Sequence, residues 1–195
     1  MLKWIALALF CASLHAQRLK PVIDNEHVTV WDVTWTKGQT SPAPRDRDAV
    51  VMRLTGPHAG TASFIAKGRE RTELGHTGAR WLVIELKDYP AQHYPNTSGY
   101  PPAFPRPHVK KLLENDRVVV WSYRWNAGEP TPMHFHDKDV VVVYLEDTAL
   151  TSTTPNGTKK LNEYKAFDIR FNQGNRTHYE LLAHGAGSAM MMELK

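Results

Sequence analysis

The chain has one cysteine, Cys11, and it lies within the first sixteen residues. No disulfide can tie the rest of the 195-residue chain together, so stability must come from a packed core. Long apolar runs are scarce as well. Beyond residue 16 nothing approaches the roughly 18 uncharged apolar residues of a membrane-spanning helix, so the sequence predicts a soluble protein with no membrane partner. Blocks of one charge are missing too. The 24 Lys and Arg are interspersed with the 20 Asp and Glu, the formal net charge is +4, and no basic stripe offers a nucleic-acid footprint. Helical periodicity is nearly absent, and only residues 109–113 read as a turn of helix.

What is present begins with a leader. Lys3 is followed by an apolar stretch over residues 4–12 and by the small residue Ala16 before Gln17. A charged start, a short apolar run and a small residue at a cleavage position form a secretory signal. Residues 1–16 are therefore expected to be removed, leaving 179 residues in a secreted or periplasmic location.

The remainder repeats itself. PVIDNEHVTVWDVTWTKGQTSP, from Pro21, aligns with KLLENDRVVVWSYRWNAGEPTP, from Lys111, with seven of 22 positions identical. Trp31 meets Trp121, Trp35 meets Trp125 and Gly38 meets Gly128. After a one-residue gap DRDAVVMRL, from Asp46, meets DKDVVVVYL, from Asp137, and the copies close on IELK and MELK. β-branched and aromatic runs punctuated by Gly and Pro predict an all-β protein of two small lobes, each a sandwich or closed barrel. The organisation read from this is a lobe over 17–88, a linker over 89–108 and a lobe over 109–195. The linker holds six prolines, which makes it stiff and extended, and its Tyr89, Tyr94, Tyr100 and Phe104 imply that it lies against the lobes.

The second copy carries the chemistry. GEPTPMHFHDKDVVVVYLED, from Gly128, resembles the first motif of the cupin superfamily: a Gly, five residues, His-x-His, then a hydrophobic strand ending at Leu145 and Glu146. FDIRFNQGNRTHYELL, from Phe167, resembles the second motif, with Gly174 in the turn and His178 on the next strand, although Asn172 stands where Pro is common. The resemblance implies two jelly-roll β-barrel lobes from an internal duplication, a bicupin. Residues two apart on a strand share a face and lie about 7 Å apart, so His134 and His136 can converge on one ion while His178 arrives from a neighbouring strand. Imidazole suits Fe, Zn, Ni or Cu, and Mn with carboxylate help. The bland alternative is three barrel-mouth histidines bonded to backbone or water.

Where the family usually supplies a carboxylate ligand this chain has Val140, and Asp139 beside it faces the other way on a regular strand. The resemblance therefore implies a neutral three-histidine site with open positions. Glu180 shares parity with His178 and reads as a general base, a further ligand or a solvated rim carboxylate. Tyr123, between Trp121 and Trp125, reads as core or as part of an aromatic wall near a substrate. In the first copy Ala43 or Pro44 and Arg45 or Asp46 replace the histidines, and His27, His58, His76, His93, His108 and His184 read as surface residues. The expected function is a monomeric or homodimeric protein binding one divalent metal in its second barrel, a metal-dependent small-molecule oxygenase or related enzyme. The competing expectation is a non-catalytic module binding a ligand or partner. Neutral imidazole is needed for metal binding, so affinity is expected to fall as pH drops through roughly 6.5.

If residues 1–16 are a signal, intact-mass measurement of protein exported by its native host will give a chain starting at or near Gln17. A mass that retains Met1 to Ala16 would sink the secretion reading.

Overall fold

Two strands rich in β-branched and aromatic residues, VTVWDVT and VVVWSYRW, set the pattern of the molecule. The computed structural model describes residues 20–34, 45–69 and 78–195; the leader, Trp35, Gly38, Ala43, Pro44 and His76 lie outside the described residues. Among the described residues no helix is long and apolar enough to cross a membrane. The first lobe contributes β1 (Ile23–Asp24), β2 (Val28–Thr34), β3 (Ala49–Arg53), β4 (Thr61–Ile65) and β5 (Arg80–Leu86). The second contributes β6 (Val109–Glu114), β7 (Val118–Trp125), β8 (His134–His136), β9 (Val140–Tyr144) and β10 (Thr148–Thr153). It continues with β11 (Lys159–Tyr164), β12 (Ile169–Asn172), β13 (Arg176–Gly185) and β14 (Gly187–Leu194). Residues 109–113, expected as a helical turn, are strand. They pair with β7 at a sheet edge, where a bulge between Lys111 and Leu113 breaks the alternation that would have marked them.

The duplication is written in the register. One sheet has the order β1-β2-β5-β3-β4 and another the order β6-β7-β14-β9-β12. Val28 opposite Leu86 becomes Val118 opposite Leu194, and Ala49 opposite Glu85 becomes Val140 opposite Glu193. Side chains repeat with the backbone. The Trp31 indole donates to Glu85 at 3.2 Å, and the Trp121 indole donates to Glu193 at 2.8 Å. Asn25 accepts from the backbone N–H groups of His27 and Val28, as Asn115 does from Arg117 and Val118.

These two sheets stack on each other. Val30, Met52 and Ile84 from the first enter one core with Val120, Val143, Met190 and Met192 from the second. The opposite face of each sheet turns into its own lobe, so β3, β9 and β14 are buried along their whole lengths. That double coverage is why AVVMR, VVVVY and SAMMMEL read as apolar runs instead of alternating patterns. The stacking is close to twofold. Arg117 of the second lobe pairs with Asp48 of the first at 2.9 Å, and at the matching place His27 of the first faces Asp139 of the second at 3.7 Å. Lys67 N donates to Asp48, and Gly174 N donates to Asp139. His27, expected at the surface, is therefore buried at the lobe junction, where it stacks on Phe171.

The lobes differ in one large respect. Residues 54–60 join β3 to β4, whereas residues 145–168 join β9 to β12 and contain the β10–β11 hairpin. This hairpin joins β13 and β8 in a sheet of order β11-β10-β13-β8, which closes the second lobe into a barrel. The proline-rich connector lies along the edge of β8. Phe135 N donates to Pro101 O at 2.9 Å, Ala103 N to Phe135 O at 2.8 Å and Tyr94 N to Asp137 O at 3.0 Å. Of its aromatic residues Phe104 is buried, while Tyr89 and Tyr100 are exposed. A Cβ on Gly174 would lie 2.4 Å from the Tyr94 ring, so only glycine fits that turn.

Because Met192 belongs to the core common to both lobes, Met192→Ala should cost about 2–5 kcal/mol. Denaturation followed by circular dichroism and by tryptophan fluorescence should show one shared transition. Two resolved transitions would contradict a common core.

Candidate metal centre

β8 and β13 run antiparallel with His136 opposite Arg176, Phe135 opposite Thr177 and His134 opposite His178. The two-residue strand period then puts all three imidazoles inside the barrel. Their ring centroids form a nearly even triangle, 5.0 Å for His134–His136, 4.8 Å for His134–His178 and 5.1 Å for His136–His178. All three are buried, and one nitrogen from each lies within 4.8 Å of the others. Pro132 O is 2.8 Å from His134 Nδ1, which places the proton there and leaves the Nε2 lone pair directed at His136 Nε2, 3.2 Å away. Two nitrogens on one tetrahedral ion with bonds of about 2.0–2.1 Å stand roughly 3.3 Å apart, so this pair fits a shared metal. His136 Nδ1 is buried without a partner.

Burial decides the charge of the cluster. It pushes the His134 pKa down to about 3, with the Arg106 and His178 charges adding to the effect. His136 and His178 are lowered chiefly for the same reason. All three are therefore neutral ligands at neutral pH, and the protonation step expected near 6.5 is displaced to the acid side, furthest for His134 and His136.

Around the trio the structure adds groups that sequence reasoning did not find. Arg106 comes from the connector, its side chain 5% exposed, with Nη1 2.9 Å from His134 Nε2 and Nη2 3.8 Å from Glu180. Its guanidinium lies over the rings of Phe104 and Tyr123, at 4.9 and 4.2 Å. No sequence signal marked it, because only the tertiary path of the connector delivers it to the site. Arg176 did have a signal: it lies two residues before His178 and shares its face. Glu180 is where parity put it, 3.8 Å from His178 Nε2 and accepting from the Trp125 indole at 3.1 Å. Burial alone would raise the Glu180 pKa, but the neighbouring His178, Arg106 and His134 and the Trp125 bond outweigh it and hold the carboxyl below its usual range.

Tyr123 is not on the main cavity. It sits beneath Arg106, edge-on to Trp125, and borders a separate hollow with Pro107 and Gly128. Burial raises its pKa, so it stays a neutral phenol. The main cavity, of about 840 Å3, is lined by Arg176, Tyr144, Tyr164 and residues of β11, with His136, His178 and Glu180 also in its wall. Val140 also lines it, in the place of the family's carboxylate, and Asp139 turns away to meet His27. In the first lobe the described residues at the matching place, Arg45 and Asp46, are exposed.

No protein-family model matches the sequence, and no curated protein matches it either. Solved structures do. Protein YlbA from E. coli, of family-model DUF861, is 10% identical with a TM-score of 0.52, over 87% of this chain and 77% of that one. A cupin domain from Bordetella pertussis Tohama I is 23% identical, with a TM-score of 0.41, over 47% of this chain and 97% of that one. An RmlC-like cupin with a double-stranded β-helix fold from Methanocaldococcus jannaschii is 17% identical, with a TM-score of 0.38, over 44% of this chain and 77% of that one. The likeness to YlbA runs across both lobes, and the strand order repeats from one lobe to the next. The chain thus shares a two-lobed, all-β fold with YlbA, and cupin domains are among the structures it is similar to.

Proposed function

We propose that this is a secreted or periplasmic protein whose second barrel binds one divalent metal, Fe, Zn, Mn or Ni, through His134, His136 and His178, and that it is a metal-dependent oxygenase or related enzyme acting on a small molecule. The observation that carries the reading is the buried trio of neutral imidazoles at ligand spacing, two of which, His136 and His178, line a cavity of about 840 Å3. A divalent ion held there supplies Lewis acidity and open coordination positions. The chain's own groups supply the rest. Pro132 O fixes the tautomer of His134. Glu180, ionised at the cavity wall, can take or return a proton. Tyr123 and Phe104 hold the Arg106 guanidinium in place between them.

One observation favours a second reading, a non-catalytic module that binds a ligand or partner. Arg106 Nη1 already donates toward the His134 lone pair that a metal would use. For a metal to bind, the guanidinium must move off that lone pair, and Glu180 is the anion placed to receive it. Tightly held metal in the purified protein separates the two readings.

Elemental analysis of the mature protein should give at most one ion per chain. His134→Ala should abolish it with the barrel still folded, and Arg45→Ala, on the exposed first-lobe turn, should leave it unchanged. Two ions per chain, or full occupancy without His134, would show the site to be elsewhere.

The lowered histidine pKa values make two further predictions. Metal affinity of the folded protein should begin to fall only at a pH below the 6.5 of a free imidazole, because burial lowers the pKa of all three ligands. Stability of the metal-free protein should be fully present above pH 6.5 and decline as pH falls toward 3, since the unfolded chain takes up protons that the folded His134 refuses. Denaturant titrations of metal-free protein at pH 7.5, 6 and 5 check the sign. A stability that rises on acidification across that range would contradict it.

A further inference from the structure

The cavity beside the histidines has a charge pattern that points to its occupant, and the inference rests on the reading of this cavity as the small-molecule site. Four cationic side chains line it, Arg106, Lys160, Arg170 and Arg176, against the carboxylates of Glu163 and Glu180. Arg170 is paired with Asp168 at 3.3 Å, and Arg106 shares Glu180. Lys160 and Arg176 have no such pairing among the described residues, and of the two Lys160 is exposed while Arg176 is half-buried. Among the described residues no carboxylate lies within ion-pair distance of it, and its one hydrogen bond runs from Nε to Gln173 O at 2.6 Å. That bond anchors the head of the side chain and leaves both Nη groups without a protein acceptor.

The register fixes Arg176 directly opposite His136 and on the same face as His178, so its fork stands at the histidine end of the cavity. A guanidinium presents paired N–H donors that match the two oxygens of a carboxylate. Burial opposes its charge, which an anionic ligand would relieve. Three neutral imidazoles would leave the charge of a bound divalent ion uncompensated as well, which adds to the preference for an anion. One part of the wall, away from the Ser152, Thr154, Asn162 and Thr177 side chains that also line the cavity, is apolar and flat. Tyr144 and Tyr164 stack at 3.8 Å with an interplanar angle of 10°, Trp125 continues the stack at 6.2 Å, and Val142 and Met191 complete it. Such a wall suits a planar body.

We propose that the cavity takes a small carboxylate with a planar, apolar body, its carboxylate held by the Arg176 guanidinium beside His136.

Calorimetric titration of the metal-free full-length mature protein with benzoate, and with benzamide as its neutral isostere, tests this. Benzoate should bind at one site per chain and at least tenfold more tightly than benzamide. Arg176→Gln should weaken benzoate by at least tenfold and leave benzamide unchanged. Arg176→Lys, which keeps the charge but loses the fork, should weaken benzoate by less than Arg176→Gln does. No benzoate binding, equal binding of the two probes, or full benzoate affinity in Arg176→Gln would overturn the proposal. If Arg176→Gln does not fold, the comparison of probes on wild type and on Arg176→Lys still decides it. Metal content is read separately. Selective benzoate binding in a protein that never takes up metal would sink the metal reading and keep the carboxylate site, and the reverse pattern would do the opposite.

Discussion

The contact between one sheet and its duplicated copy is the constraint on which the rest of the molecule depends. Val30, Met52 and Ile84 can be dry only if Val120, Val143 and Met192 cover them, and the reverse holds as well. At about 25 cal/mol for each Å2 of apolar surface removed from water, a face of this kind outweighs any surface ion pair in the chain. In the absence of disulfides in the second lobe and in the described part of the first, this burial is what fixes the histidine-bearing barrel in space. The first lobe, whatever its ancestor did, now serves as the support for the outer face of β7, β9 and β14.

The site follows from that arrangement. With their outer faces covered, the strands of the second sheet send Trp121, Trp125, Val142 and Met191 inward, and the hairpin lays β13 and β8 across them. Burial then suppresses the charge of the imidazoles, and the connector inserts a cation beside them that is shielded by two aromatic rings. Two carboxylates of the second lobe's interior are held by indole N–H groups, Glu193 by Trp121 and Glu180 by Trp125. The aromatic residues of β7 therefore serve as core and as donors to buried charge at the same time.

Much of this was legible in the sequence, for identifiable reasons. Strand parity and the repeat are local, so His134, His136, His178 and Glu180 could be placed on one face without coordinates. The exclusion of Asp139 and the inward position of Val140 followed from the same parity. What could not be read depends on which distant surfaces meet. Arg106 reaches His134 only because the connector follows the edge of β8. His27 is buried only because the lobes stack, and Tyr123 is cut off from the cavity only because Arg106 lies over it. Residues 109–113 were misread because two lysines followed by two leucines suit an edge strand with a bulge as well as a helical turn.

The near-twofold pairing of Arg117 with Asp48 and of His27 with Asp139 amounts to a homodimer interface enclosed in a single chain. In a true homodimer any substitution appears twice, and both subunits lose affinity together. Here a covalent tether keeps the partner at high effective concentration, and each half of the interface is encoded separately. One half can exchange arginine for histidine and do without a hairpin while the other keeps both, and the pair does not come apart. The tether thus frees one copy to become a permanent scaffold and the other to specialise.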